Sequence, residues 1–215
     1  AQMILGFMYQ RGHGVPKDFK ISAKWMELSA KQENGTAQYE LARLYHFGVG
    51  VNQNYKKAIR YYAMSALNGH LDAIFEYAMF LRKGEYIKKD LKLAGGMLKD
   101  AAKLGHMNSQ YAIGHFFYDG MGVIQDFEES IYWYKKAAEQ GLMYAQKDLS
   151  KMYYLGKGTK KNFIYAHMWA NLASSQGLES SRKYRDTIAK EMTSSQIEKA
   201  QRLARECLER DYKDC

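Results

Sequence analysis

The chain repeats itself every 36 residues, five times. Ala1, Ala37, Ala73, Ser109 and Ala145 open the copies. Gly12, Gly48, Gly84, Gly120 and Gly156 hold one fixed place in them, and Trp25, Tyr61, Met97, Trp133 and Trp169 hold another. This period constrains the fold more than any composition does. One copy has room for a single pair of helices, which cannot bury its own apolar face and must stack on the next pair. The 47% hydrophobic content supplies enough apolar material for an ordered core. Pro16 is the only proline, so helices elsewhere escape the lost donor and ring clash that proline imposes.

The fourth copy shows how the pattern builds one pair. Ser109, Ile113, Phe116, Phe117 and Gly120 fall on one helical face. Beside that stripe lies a column of small residues, Gly6, Ala42, Ala78, Gly114 and Ser150, which lets a second helix approach closely. Gly120 can close the first helix in a left-handed cap, and Gly122 permits the turn that follows. Asp126 is placed to N-cap the second helix, as are Asp18, Asn54, Asp90 and Asn162 in the other copies. Phe127, Ser130, Trp133, Tyr134, Ala137 and Ala138 then form the buried stripe of that helix. Gly69, Gly105, Gly141 and Gly177 end the second helices, whereas in the first copy the glycine, Gly35, is displaced by two residues. The third copy departs furthest. Tyr86 replaces its second turn glycine, and Gly95-Gly96 lie inside its second helix at a cost of roughly 1 kcal/mol each. It is expected to be the softest of the five.

The second copy, AQYELARLYHFGVGVNQNYKKAIRYYAMSALNG, and the fourth, SQYAIGHFFYDGMGVIQDFEESIYWYKKAAEQG, carry a pattern that resembles the SLR family (Sel-one-like repeats), a branch of the tetratricopeptide-like solenoids. The resemblance covers residues 1–178 in five in-phase copies: 1–36, 37–72, 73–108, 109–144 and 145–178. It implies an all-α, right-handed superhelical solenoid of five helix pairs. Residues 179–215 resemble the ending of bacterial members and are expected to form a C-terminal capping helix pair. Thr193 and Gln196 form a capping box there, and Ile197, Ala200, Leu203, Ala204 and Leu208 give the last helix one apolar face. For function, the resemblance implies a bacterial protein–protein interaction scaffold or adaptor, exported to the periplasm or secreted, with ties to signalling, envelope assembly or host contact.

Charge and motifs narrow the chemistry. The formal net charge is +9, with the surplus in the repeats and a nearly balanced tail. Acids are interleaved with the bases, so a solvated basic surface explains the surplus, and no specific nucleic-acid partner is expected. No stretch reaches the length of a transmembrane helix. The chain opens on Ala1, already inside a repeat, and its N-terminus is expected to be processed or truncated. Cys207 and Cys215 are the only cysteines. On one continuous helix they would stand roughly 12 Å apart, so they can pair only if the chain turns back after about Arg210. The six histidines lack ligand spacing for a metal, and His70 and His106 recur in one turn as repeat furniture. No cofactor motif is present. Ser180 and Lys183 form an S-x-x-K without the partner motifs of penicillin-binding enzymes. A peptidoglycan- or β-lactam-related enzyme and polyanion binding are the alternatives to the scaffold.

The candidate binding face is the side of each first helix opposite its core stripe. In the second copy it carries Tyr39, Arg43 and His46, and in the third Phe75, Met79 and Arg82. The fourth presents Tyr111, His115 and Tyr118, and the fifth Lys147, Lys151 and Tyr154. A merely solvated face would be mostly polar, whereas this one mixes aromatic, methionine and basic residues. Tyrosine and arginine are frequent binding anchors. The pattern is expected to form a concave groove for a peptide or protein segment with acidic and apolar side chains.

Overall fold

The computed structural model describes all 215 residues and contains twelve helices and no strand. The repeats supply α1 (Gln2–Arg11), α2 (Phe19–Ala30), α3 (Gly35–Phe47), α4 (Tyr55–Leu67), α5 (Leu71–Lys83) and α6 (Leu91–Lys103). They continue with α7 (Met107–Asp119), α8 (Phe127–Ala138), α9 (Met143–Leu155) and α10 (Phe163–Ser175). Beyond them lie α11 (Glu179–Ala189) and α12 (Ser194–Glu209). The architecture is an all-α solenoid of helix pairs. It divides into two compact units, Ala1–Ala101 and Ala102–Cys215.

The helix ends follow from local chemistry. Each first helix closes on a left-handed glycine, with φ near 70° at Gly12, Gly48, Gly84, Gly120 and Gly156. Asp126 accepts from the Glu128 and Glu129 amides at 2.9 and 3.0 Å, and Asp90 accepts from the Leu93 amide at 2.8 Å. Asp18, Asn54 and Asn162 cap their helices in the same way. The recurring turn histidines have a definite task. His70 and His106 are N-caps whose Nδ1 accepts from the Ala73 and Ser109 amides at 3.4 and 3.3 Å. Asn34 does the same for α3.

The displaced glycine of the first copy does not alter the turn. Glu33 occupies the left-handed position itself, at φ 60°, where the other copies use Gly69, Gly105, Gly141 and Gly177. An L-residue pays roughly 1–2 kcal/mol for that conformation. Glu33→Gly is therefore expected to raise stability by roughly 1 kcal/mol, read as a higher urea midpoint at unchanged slope. An unchanged or lowered midpoint would show that Glu33 earns its place by an interaction.

Within the first unit α2 packs on α1 and α3, and α4 on α3 and α5. Met26, Leu41, Tyr62 and Leu98 are among the large fully buried side chains there. Within the second unit α8 packs on α7 and α9, and α10 on α9, α11 and α12. Its core gathers Tyr134, Leu149, Met152, Met168, Trp169 and Leu172 with Ala204 and Cys207 of α12. The small-residue column performs the close approach expected of it. A Cβ on Gly114 would stand 2.5 Å from the Tyr134 ring, and one on Gly6 2.8 Å from Met26.

Buried amides stitch successive pairs together. Gln38, Gln110 and Gln146 donate to the carbonyls of Ala30, Ala102 and Ala138. Their own oxygens accept from Asn68, Gln140 and Gln176 at 2.7–2.9 Å. Each glutamine thus buries without an unpaid polar group. The third copy has Ile74 at this place.

The capping box at Thr193 and Gln196 opens α12, with both of its hydrogen bonds formed. The helix ends at Glu209, and Asp211, Tyr212 and Asp214 all adopt positive φ. That reversal brings Cys215 back to Cys207, and the two form a disulfide with their Cα atoms 5.5 Å apart. The Tyr212 ring comes to rest against Gly141.

Candidate interaction face

Each first helix delivers its face residues from its last three turns, and after α3 and α7 the turn that follows pins the C-terminal one. Gln53 donates to the His46 carbonyl at 2.8 Å, and Gln125 donates to the Tyr118 carbonyl at the same distance. These are the same bonds 72 residues apart. None of the twelve candidate residues is buried: Arg43 and Lys151 are exposed and the other ten half-buried.

In the second unit a cavity of about 290 Å³ opens on this face, lined by His115, Tyr118, Tyr134, Asp148, Lys151 and Met152, among others. Asp148 organises it. Its Oδ2 accepts from the Tyr111 hydroxyl at 2.8 Å and lies 3.6 Å from His115 Nε2. Its Oδ1 lies 3.3 Å from Lys151 Nζ and 3.6 Å from Lys147 Nζ. Burial and the Asp148 charge hold the Tyr111 phenol well above its ordinary range. Lys157 donates to the Tyr118 hydroxyl at 2.8 Å and sits over its ring. The buried ring of Tyr134 forms part of the lining.

In the first unit the equivalent cavity, about 140 Å³, is lined by His46, Tyr55, Glu76, Met79, Phe80, Lys83, Glu85 and Tyr86. His46 shares a 3.2 Å hydrogen bond with the buried Tyr62 and stands among the rings of Tyr55 and Phe80. Burial, with Lys83 nearby, depresses its pKa. Tyr39 stacks on His70 with centroids 4.4 Å apart, and its phenol is pushed up to about 12, chiefly by burial. Arg43 pairs with Glu40 at 3.4 Å and leans over the Tyr39 ring. Phe75 and Arg82 lie half-buried on α5, outside the cavity lining.

Tyr154 has a different setting from its repeat equivalents. Its hydroxyl donates to Glu191, and its ring meets Tyr184 of α11 edge-on at 5.6 Å. It therefore serves the contact with the segment that follows the last repeat. Ser180 and Lys183, the S-x-x-K pair, are both exposed on α11.

Two elements of the face escaped sequence reasoning. One is an acidic column, Glu40, Glu76 and Asp148, one residue after Tyr39, Phe75 and Lys147. Its recurrence every 36 or 72 residues was the available signal. The other is the pair of buried tyrosines, Tyr62 and Tyr134, which the apolar stripe of the second helix hid among core residues.

The model of the Sel1 repeat matches residues 1–34, 35–70, 71–106, 108–142 and 144–178. Among solved structures the chain is similar to a Sel1 repeat protein from Oxalobacter formigenes. The TM-score is 0.80 at 27% identity, over 85% of this chain and 75% of that one. It is also similar to c5321, a protective antigen present in uropathogenic Escherichia coli strains displaying an SLR fold. There the TM-score is 0.64 at 26% identity, over 98% of this chain and 54% of that one, so this chain spans about half the length of that protein. With the immunity protein Pa5087 from Pseudomonas aeruginosa it shares the fold alone, at a TM-score of 0.53 and 20% identity. No curated protein matches the chain.

Proposed function

Because this chain belongs to the Sel1 repeat family, we propose that it is a non-enzymatic scaffold that docks a protein segment on the face of its first helices. The observation that carries this reading is the pair of repeat-equivalent cavities, one in each unit, lined by His46 and Met79 in the first and by His115, Tyr118 and Lys151 in the second. Both combine rings with charged groups, the composition of binding anchors rather than of a solvated helix face. In the second unit Lys147, Lys151 and His115 lie around Asp148, with Asp119 a second carboxylate of the lining; the lysines are the groups that acidic side chains of the partner would meet.

The Cys207–Cys215 disulfide supports an oxidising compartment, and hence an exported bacterial protein. The docking reading is tested by capturing partners from periplasmic extract with the wild type and with a variant carrying Arg43→Ala, Arg82→Ala and Tyr118→Ala. Capture is expected to fall at least tenfold, the scale of losing one or two anchors worth about 2 kcal/mol each. Undiminished capture by the folded triple variant would remove the face from consideration.

A further inference from the structure

The two cavities occupy equivalent places 72 residues apart, yet their central carboxylates are paired differently. Asp148 and Glu76 are the same position in the fifth and third copies. Around Asp148 the chain supplies its own counter-charges: Lys147 at 3.6 Å, Lys151 at 3.3 Å, and a hydrogen bond from Tyr111. At the positions equivalent to Lys147 and Lys151, the third copy places Phe75 and Met79 beside Glu76. The equivalent of His115 is Arg43, and Arg43 pairs with Glu40. Glu76 thus lacks the flanking lysines that pair with Asp148, and the cation of its cavity is Lys83, where the other cavity has Leu155. Its carboxyl is held above the usual range, with burial outweighing the fields of Arg43 and Lys83.

The wall of this cavity is also peculiar to the third copy. Tyr86 stands where the other four copies have Gly14, Gly50, Gly122 and Gly158. Its ring stacks on Tyr55 with centroids 4.2 Å apart and planes 11° apart, and 47% of the residue stays exposed. Phe80 and His46 add two more rings, and Glu85 a second carboxylate. A carboxylate without a flanking lysine, beside the exposed Tyr86 ring and a second carboxylate, Glu85, is a setting that can recognise a planar cation.

We infer that the Glu76 cavity is a subsite for a basic side chain of the docked protein, an arginine whose guanidinium pairs with Glu76 and stacks on Tyr86. The inference rests on the docking reading in taking that arginine from a protein partner. The departures of the third copy from the repeat pattern become specificity determinants instead of decay.

The test is an NMR titration of the whole chain with N-acetylarginine amide, set against N-acetylcitrulline amide, which has the same shape without the charge. Saturable shifts are expected at the amides of residues 76–86, with citrulline at least tenfold weaker. Glu76→Gln should weaken arginine binding about tenfold while leaving the dispersed spectrum of the folded chain intact. Met79→Lys, which restores the cation that Lys151 supplies in the other cavity, should abolish it. Equal binding of citrulline, undiminished binding by either variant, or shifts centred on Asp148 would overturn the assignment. Arginine binding together with undiminished capture by the triple variant supports the subsite and defeats the docking reading. Loss of capture with no arginine binding defeats the subsite alone.

Discussion

Replacing Gly158 with alanine is expected to destabilise the protein by about 3 kcal/mol, one of the largest single effects available in the repeats. Two costs combine. Gly158 has φ 66°, where an L-residue pays roughly 1–2 kcal/mol. A Cβ there would also stand 2.3 Å from the Phe127 carbonyl oxygen and 2.8 Å from the Glu128 amide nitrogen. Those are backbone atoms at the start of α8, so no side-chain rotation relieves the overlap. Gly50 repeats the geometry in the first unit, with a Cβ 2.4 Å from the Phe19 carbonyl oxygen. Gly177 is the internal control. It has φ 92° but nothing within 4 Å of a built Cβ, so Gly177→Ala should cost only the conformational part, roughly 1–2 kcal/mol. Urea unfolding of the two variants separates the terms. Equal losses would show that the second turn glycine is needed for φ alone.

Trp169→Ala is expected to cost about 4 kcal/mol, against about half that or less for Trp25→Ala. The two tryptophans hold the same place in the repeat, but Trp169 is 1% exposed and Trp25 is half-buried. The difference comes from what covers them. Trp169 lies in a core that includes Ala204 and Cys207 of α12, packed on α10. The contact with α12 thus adds cover at Trp169 that Trp25 does not have. Equal losses in the two variants, measured by denaturant unfolding, would mean that α12 adds no packing to the tryptophan.

What the sequence made legible was whatever the period repeats. The left-handed glycines, the Asp and Asn caps and the small column at Gly114 each follow from a local rule applied five times, and the amphipathic α12 from helical spacing read once. Features that depend on context were less visible. Glu33 keeps the left-handed turn of the first copy without a glycine, because the fold overrides its preference. The pairing of Cys207 with Cys215 needs the positive-φ residues Asp211, Tyr212 and Asp214, none of which carries a glycine signal. His70 and His106 repeat like structural residues and are structural, yet their capping role lies in ring nitrogens that periodicity does not reveal. On the face itself, aromatic and basic columns stood out against the polar background. The acidic column beside them did not, because interleaved charge reads as an ordinary solvated surface. The period places Glu76 and Asp148 at equivalent positions, and the structure shows their different neighbours.

The same contrast between repeats bears on how such a chain acquires specificity. Positions fixed by the period hold the stack together. The third copy has Tyr86 for glycine, Met79 where the fifth has Lys151, and Ile74 for glutamine, and its cavity has a lining of its own. Divergence on an exposed face costs little stability, since each pair packs chiefly on its neighbours through the buried stripe.

The most direct measurement of the central claim is site-specific photo-crosslinking. Benzoylphenylalanine is introduced singly at Met79 and Tyr118 on the first-helix face, and at Lys24 and Lys56 on exposed second-helix positions. Each variant is irradiated with periplasmic extract. The account predicts one discrete protein adduct from Met79 and Tyr118, with none from Lys24 or Lys56. Adducts confined to Lys24 and Lys56, or equal labelling from all four positions, would contradict it.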